Sequence, residues 1–121
     1  MAENLRLCQE YAHRIAMDAG WYSNPETGEP IERNFGEAVA LIHSELSEAL
    51  EADRKGVLAD QKLPHRGGVE VELTDVIIRL FDIAEYRGYD IGGTFVEKCR
   101  INKNRNDHKR DQRMAPGGKR Y

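Results

Sequence analysis

Apolar residues recur at three- and four-residue steps in four stretches of this chain. Each such stretch predicts an amphipathic helix. In residues 4–19 the stripe is Leu5, Cys8, Ala12, Ile15 and Ala19, with Gly20 as the stop. Cys8 falls on it and is expected in the core. Glu10 and His13 form an E-x-x-H without a second copy, so a solvated face is expected there. The second stretch is 35–55, opened by Asn34 as N-cap with Glu37 three residues on. The third is 69–87. The fourth is 90–106, started by Asp90 after the turn at Gly88. Two loops separate the first three. Residues 20–34 carry Pro25, Gly28 and Pro30, and 56–68 carry Pro64 and the Gly67-Gly68 pair. The pattern predicts an all-α fold, a four-helix bundle-type core with short loops.

Helical angles, at 100° per residue, sharpen two of these helices. With Glu45 at zero, Phe35, Ala38, Val39, Leu41, Ile42, Leu46, Ala49, Leu50 and Ala52 fill an arc from about −40° to +140°. Glu45 sits inside that arc and Glu48 at its edge. Glu51 and Arg54 fall outside it. A carboxylate on a buried face must be paired, protonated or metal-bound. With Asp75 at zero, the third helix shows a narrow polar stripe of Glu72, Asp75, Arg79 and Asp82. Val71 and Ile78 flank it on one side, Val76 and Ile83 on the other. Leu73, Ile77, Leu80, Phe81 and Ala84 make the expected core arc. Arg79 is expected to pair with Asp75 or Asp82, at i−4 and i+3. Glu72 is then left without a partner.

Length and charge refine this picture. The 121 residues suit one domain, and a domain so small gains from oligomerisation. Residues 1–97 hold 9 Lys/Arg against 19 Asp/Glu, a balance of −10; residues 98–121 hold 9 against 2, a balance of +7. A basic tail can bind a polyanion. Here an acidic body is available to it, so nucleic-acid binding is not the expectation. Residues 109–121 read as a flexible basic tail after a domain of 1–108. No apolar run approaches the roughly 18 residues of a membrane span, and Met1-Ala2-Glu3-Asn4 leads into no signal-peptide core. Cys8 and Cys99 have no metal spacing. A reduced, cytoplasmic setting is expected, with Cys99 serving packing.

The candidate chemistry follows from the stripes. Glu45-Leu46-Ser47-Glu48 and Glu72-Leu73-Thr74-Asp75 each put two carboxylates on one helical face. Facing each other, they would form a four-carboxylate cage for a hard cation such as Mg²⁺, with Mn²⁺ as a substitute. Lys98, Asn102 and Arg105 share a face of the fourth helix and suit phosphate. Lys62, His65 and Arg66 make the loop before the third helix cationic. Trp21 and Tyr22 can stack on a nucleobase or plug the bundle end. No zinc ligand set and no P-loop is present. A divalent cation with Lys and Arg is the equipment of phosphoryl chemistry.

E-x-x-E, 23 intervening residues, E-x-x-D and a downstream Lys-x-x-x-Asn-x-x-Arg together resemble the all-α nucleoside triphosphate pyrophosphohydrolases, the MazG-like family. The likeness covers roughly residues 5–108 and points to a small single-domain branch. It implies cleavage of a nucleoside triphosphate between the α and β phosphates, giving a nucleoside monophosphate and pyrophosphate. It implies that Glu45, Glu48, Glu72 and Asp75 hold Mg²⁺. A water would attack phosphorus, and Glu48, nearest to solvent, would be the base. Lys98 and Arg105 would contact phosphates and Asn102 the sugar or phosphate. Arg79 and Asp82 would lie just outside the four carboxylates and support them. The resemblance also implies homodimers or homotetramers. Two other readings remain open. One is a non-catalytic helical interaction module with a structural ion or a salt-bridge network. The other keeps the fold but takes phosphoribosyl-ATP.

Overall fold

The computed structural model describes residues 1–121 and is all-helical. Helix α1 spans Ala2–Asp18, α2 Phe35–Lys55, α3 Gly68–Tyr86 and α4 Ile91–Asn104. A 3₁₀ turn at Asn106–His108 and a short helix α5, Arg110–Met114, follow. Asn34 caps α2 by accepting from the Glu37 N–H at 3.0 Å. Gly56 ends it at φ 66°, a left-handed conformation that suits glycine. Asp90 caps α4 through the Gly93 N–H. No helix is long and apolar enough to cross a membrane.

The helices pack in the order α2–α3–α1–α4. Helix α3 runs antiparallel to both its neighbours: Arg79 meets Glu45 on α2, while Asp82 meets His13 and Glu85 meets Gln9 on α1. Gln9 is buried and ties three segments together. Its Nε2 donates to Glu85 Oε2 at 2.6 Å and to the Tyr89 carbonyl at 2.8 Å. Gly92 lies so close to the start of α1 that a Cβ there would run into the Ala2 carbonyl oxygen.

This arrangement is an open layer, and its core is thin. The buried apolar residues are Ala12, Tyr22, Ala38, Ala49, Ile83 and Ala84. Four of these six are alanines, so little apolar bulk is enclosed and most of the larger side chains lie nearer the surface. The arcs expected to form the core are therefore only partly buried. On α3, Ala84 is buried and Phe81 half-buried. Leu73, Ile77 and Leu80 are 45%, 51% and 37% exposed. On α2, Phe35, Leu41, Leu46 and Leu50 are exposed as well. Helix α3 turns its polar stripe toward α2, as the facing carboxylates require, while Leu73, Ile77 and Leu80 of the expected core arc stay outside and Phe81 and Ala84 are covered. Cys8 and Cys99 are also exposed rather than packed.

Candidate functional site

The inward stripe of α3 and the facing side of α2 bring the four carboxylates together. Glu45, Glu72 and Asp75 each offer one oxygen within 4.8 Å of the others. Glu48 stands against Glu72 at hydrogen-bond range. Burial falls in the expected order at its ends. Glu45 is 8% exposed, Asp75 and Glu72 are half-buried, and Glu48 is exposed to solvent. The antiparallel pairing of α2 and α3 brings the four together, because it sets Glu48 beside Glu72 and Glu45 beside Asp75.

The crowding shows in the acidities. Glu72 is raised above the ordinary carboxylate range, first by burial, then by the hydrogen bond with Glu48 and the charges of Glu48, Asp75 and Glu45. Asp75 is raised by burial and by Glu45, while Arg79 and Lys62 pull the other way. Like charges held this close favour protonation or a cation between them. The donor set is oxygen only, which suits Mg²⁺ rather than zinc. Oxygens on one octahedral Mg²⁺ ion lie about 3–4.2 Å apart, so small rotations of these side chains would bring all three within range. The residues fit the ion.

The carboxylates form one wall of an open cleft of about 1140 Å³. Its cations are Arg33, Lys55, Lys62 and Arg79. Lys55 is paired with Glu51 at 3.1 Å. Lys62 sits in a turn in which Asp60 Oδ1 accepts from the Lys62 and Leu63 N–H groups, both at 2.8 Å. Of the cationic loop, only Lys62 reaches the cleft. His65 is exposed outside it, and Arg66 pairs with Glu70 at 3.0 Å. Trp21 lines the far side, 63% exposed, so it does not plug the bundle.

Arg79 pairs with neither Asp75 nor Asp82. Its Nε–H donates to Glu45 Oε1 at 2.6 Å, across to α2. Asp82 is engaged elsewhere. Its Oδ1 accepts the Tyr22 hydroxyl at 2.7 Å and lies 2.8 Å from His13 Nδ1. His13 is therefore half-buried and bonded, not part of a solvated face, while Glu10 is exposed. Tyr22 is buried, packs edge-on against His13 and lies under the Arg33 guanidinium. Burial, then the Asp82 hydrogen bond, pushes its phenol well above the usual value. This cluster anchors the 20–34 loop at the end of the cleft. His13 and Tyr22 carry no sequence motif pointing to Asp82, and only the meeting of α1, the loop and α3 reveals the group.

Lys98, Asn102 and Arg105 do not line the cleft of their own chain. Lys98 is exposed, and the Asn102 Oδ1 is buried without a partner. Arg105 is bound by Asp107 through Nε at 3.0 Å and Nη2 at 2.6 Å. Asp107 also accepts Lys119 at 3.1 Å. These two cations hold its carboxyl far below the ordinary range.

Compared with known proteins, the chain matches no family model, no curated protein and no solved structure at a significant level.

Proposed function

We propose that this chain is a Mg²⁺-dependent nucleoside triphosphate pyrophosphohydrolase acting between the α and β phosphates. One observation carries the reading. Two helices aim four carboxylates at one wall of a cleft of about 1140 Å³ that also holds cations, a size suited to a nucleotide. Glu45, Glu72 and Asp75 would hold the ion, with Glu48 beside them. A bound Mg²⁺ supplies charge neutralisation at the phosphates and makes a nearby water more acidic.

Glu48 is the solvent-facing member and takes the proton of the attacking water. Its contact with Glu72 keeps that carboxylate directed at the cleft. Lys62 and Arg33 supply positive charge within the same cleft, and Trp21 offers a face for the base. Lys98, Asn102 and Arg105 would act in the cleft of a neighbouring copy, since they lie outside their own. The exposed arc of Leu73, Ile77 and Leu80 suits such an assembly, a homodimer or homotetramer. A cytoplasmic setting agrees with two free cysteines.

The test is pyrophosphate release from a panel of (d)NTPs with Mg²⁺. Wild type releases it from at least one, and Glu48→Gln loses activity by about 10²-fold or more. A second reading, the non-catalytic interaction module, draws on the Glu45–Arg79 pair and the exposed apolar arc. It prevails if no nucleotide, phosphoribosyl-ATP included, yields pyrophosphate while the chain binds a protein partner tightly.

A further inference from the structure

Arg79 has more donors than partners. A guanidinium carries five N–H groups in a planar fork. Only the Nε–H is used, by Glu45 Oε1. The side chain is 39% exposed and lines the cleft, so the Nη end is open to it. No residue on its own helix hydrogen-bonds to it, although Asp75 lies near enough to feel its charge. Asp82 is taken by Tyr22 and His13, and Asp75 offers its oxygen to the carboxylate cluster.

The other cleft cations are placed differently. Lys55 is paired with Glu51, and Arg33 stacks on Tyr22. Lys62 is a point charge on a loop. Arg79 alone is hydrogen-bonded to one of the clustered carboxylates while keeping free donors. A triphosphate brings about four negative charges into a site already lined with carboxylates. Such a ligand is admitted only where fixed cations offset that repulsion. A guanidinium fork matches two phosphate oxygens at once.

Resting on the proposed reading of the cleft, we infer that Arg79 bridges the two halves of the site. Its Nε edge holds Glu45 in place beside Glu72 and Asp75, and its Nη edge binds an oxygen pair of the substrate's phosphate chain. Arg79 thereby couples the position of a carboxylate that would hold the ion to the presence of phosphate. A lysine at this position keeps the charge but cannot serve both partners at once.

Calorimetry on the full chain tests this without turnover. Mn²⁺ alone and inorganic tripolyphosphate with Mg²⁺ are titrated into wild type, Arg79→Lys, Arg79→Gln and the control Arg66→Gln. Both Arg79 variants weaken tripolyphosphate binding at least tenfold, while Arg66→Gln changes it less than twofold. Arg79→Lys keeps its Mn²⁺ affinity within threefold of wild type. Should Arg79→Gln fail to fold by circular dichroism, Arg79→Lys alone decides the phosphate arm. Unchanged tripolyphosphate binding in Arg79→Lys overturns the inference, as does an equal loss in Arg66→Gln. If wild type binds tripolyphosphate and releases pyrophosphate from a nucleotide while Arg79→Lys binds normally, only this inference falls. If wild type binds no tripolyphosphate and releases none, the proposed activity falls with it.

Discussion

Asp82 shows how one residue can join three segments. Its Oδ1 takes both the Tyr22 hydroxyl and His13, and the 20–34 loop is held at the cleft by that contact. Hydrogen bonds to a charged group are worth about 1.5–3 kcal/mol. Tyr22→Phe is therefore expected to lower unfolding free energy by about that much in urea melts. A loss under about 0.5 kcal/mol would mean that the ring alone anchors the loop. Glu72 makes a different prediction. Its acidity is weakened in the folded chain, so the folded state holds a proton that the unfolded state has released. The stability from that proton is present in acid and is lost as pH rises from the ordinary carboxylate range through the raised value. Without divalent ions, wild type should lose stability relative to Glu72→Gln over that rise. Thermal melts of the two proteins across pH read the difference. A constant gap between them contradicts the crowding.

At the scale of elements, local signals and packing signals part company. Asn34, Gly56 and Asp90 set helix boundaries through bonds made within a few residues, and α2 runs from Phe35 to Lys55 as its sequence pattern predicts. The meeting of α1 and α4 depends instead on a distant residue. Gly92 leaves room for the Ala2 carbonyl, and a methyl group there must push the helix ends apart. Gly92→Ala should cost about 1–3 kcal/mol in chemical denaturation, the usual penalty for overpacking. Retained stability would show that α1's first turn simply moves aside. The Glu45–Arg79 bond is a similar case. Helical spacing favours Asp75 or Asp82 as partners, but the facing helix supplies a carboxylate at 2.6 Å.

The whole molecule is an open layer of four helices, with a polar stripe inside and an apolar arc outside. Leu73, Ile77 and Leu80 form that arc on α3, the helix whose other sides touch α1 and α2. Exposed apolar area of this kind is a surface for association. The proposed homo-oligomer predicts that Ile77→Glu lowers the assembly state, read by light scattering after size exclusion, while helix content stays unchanged. An unchanged mass would place the interface elsewhere. Activity should fall with the assembly if Lys98, Asn102 and Arg105 serve a neighbour's cleft.

Periodicity and spacing determined that this chain is all-helical and where its four long helices lie. They also determined which four carboxylates share helical faces, since i and i+3 neighbours are a property of any helix. The order of exposure from Glu45 to Glu48 was legible too, because an edge position is more open than one inside an apolar arc. Only the tertiary structure decided how much of the apolar arc of α3 its neighbours cover, leaving Leu73, Ile77 and Leu80 exposed. Two apolar flanks and a polar stripe leave that extent to the neighbours. It likewise decided that Arg79 bonds Glu45, that His13 and Tyr22 meet at Asp82, and that Cys8 is exposed. Each of those depends on which helix packs against which. Residues 34 to 69 positions apart in the chain carry no local signal that they will touch.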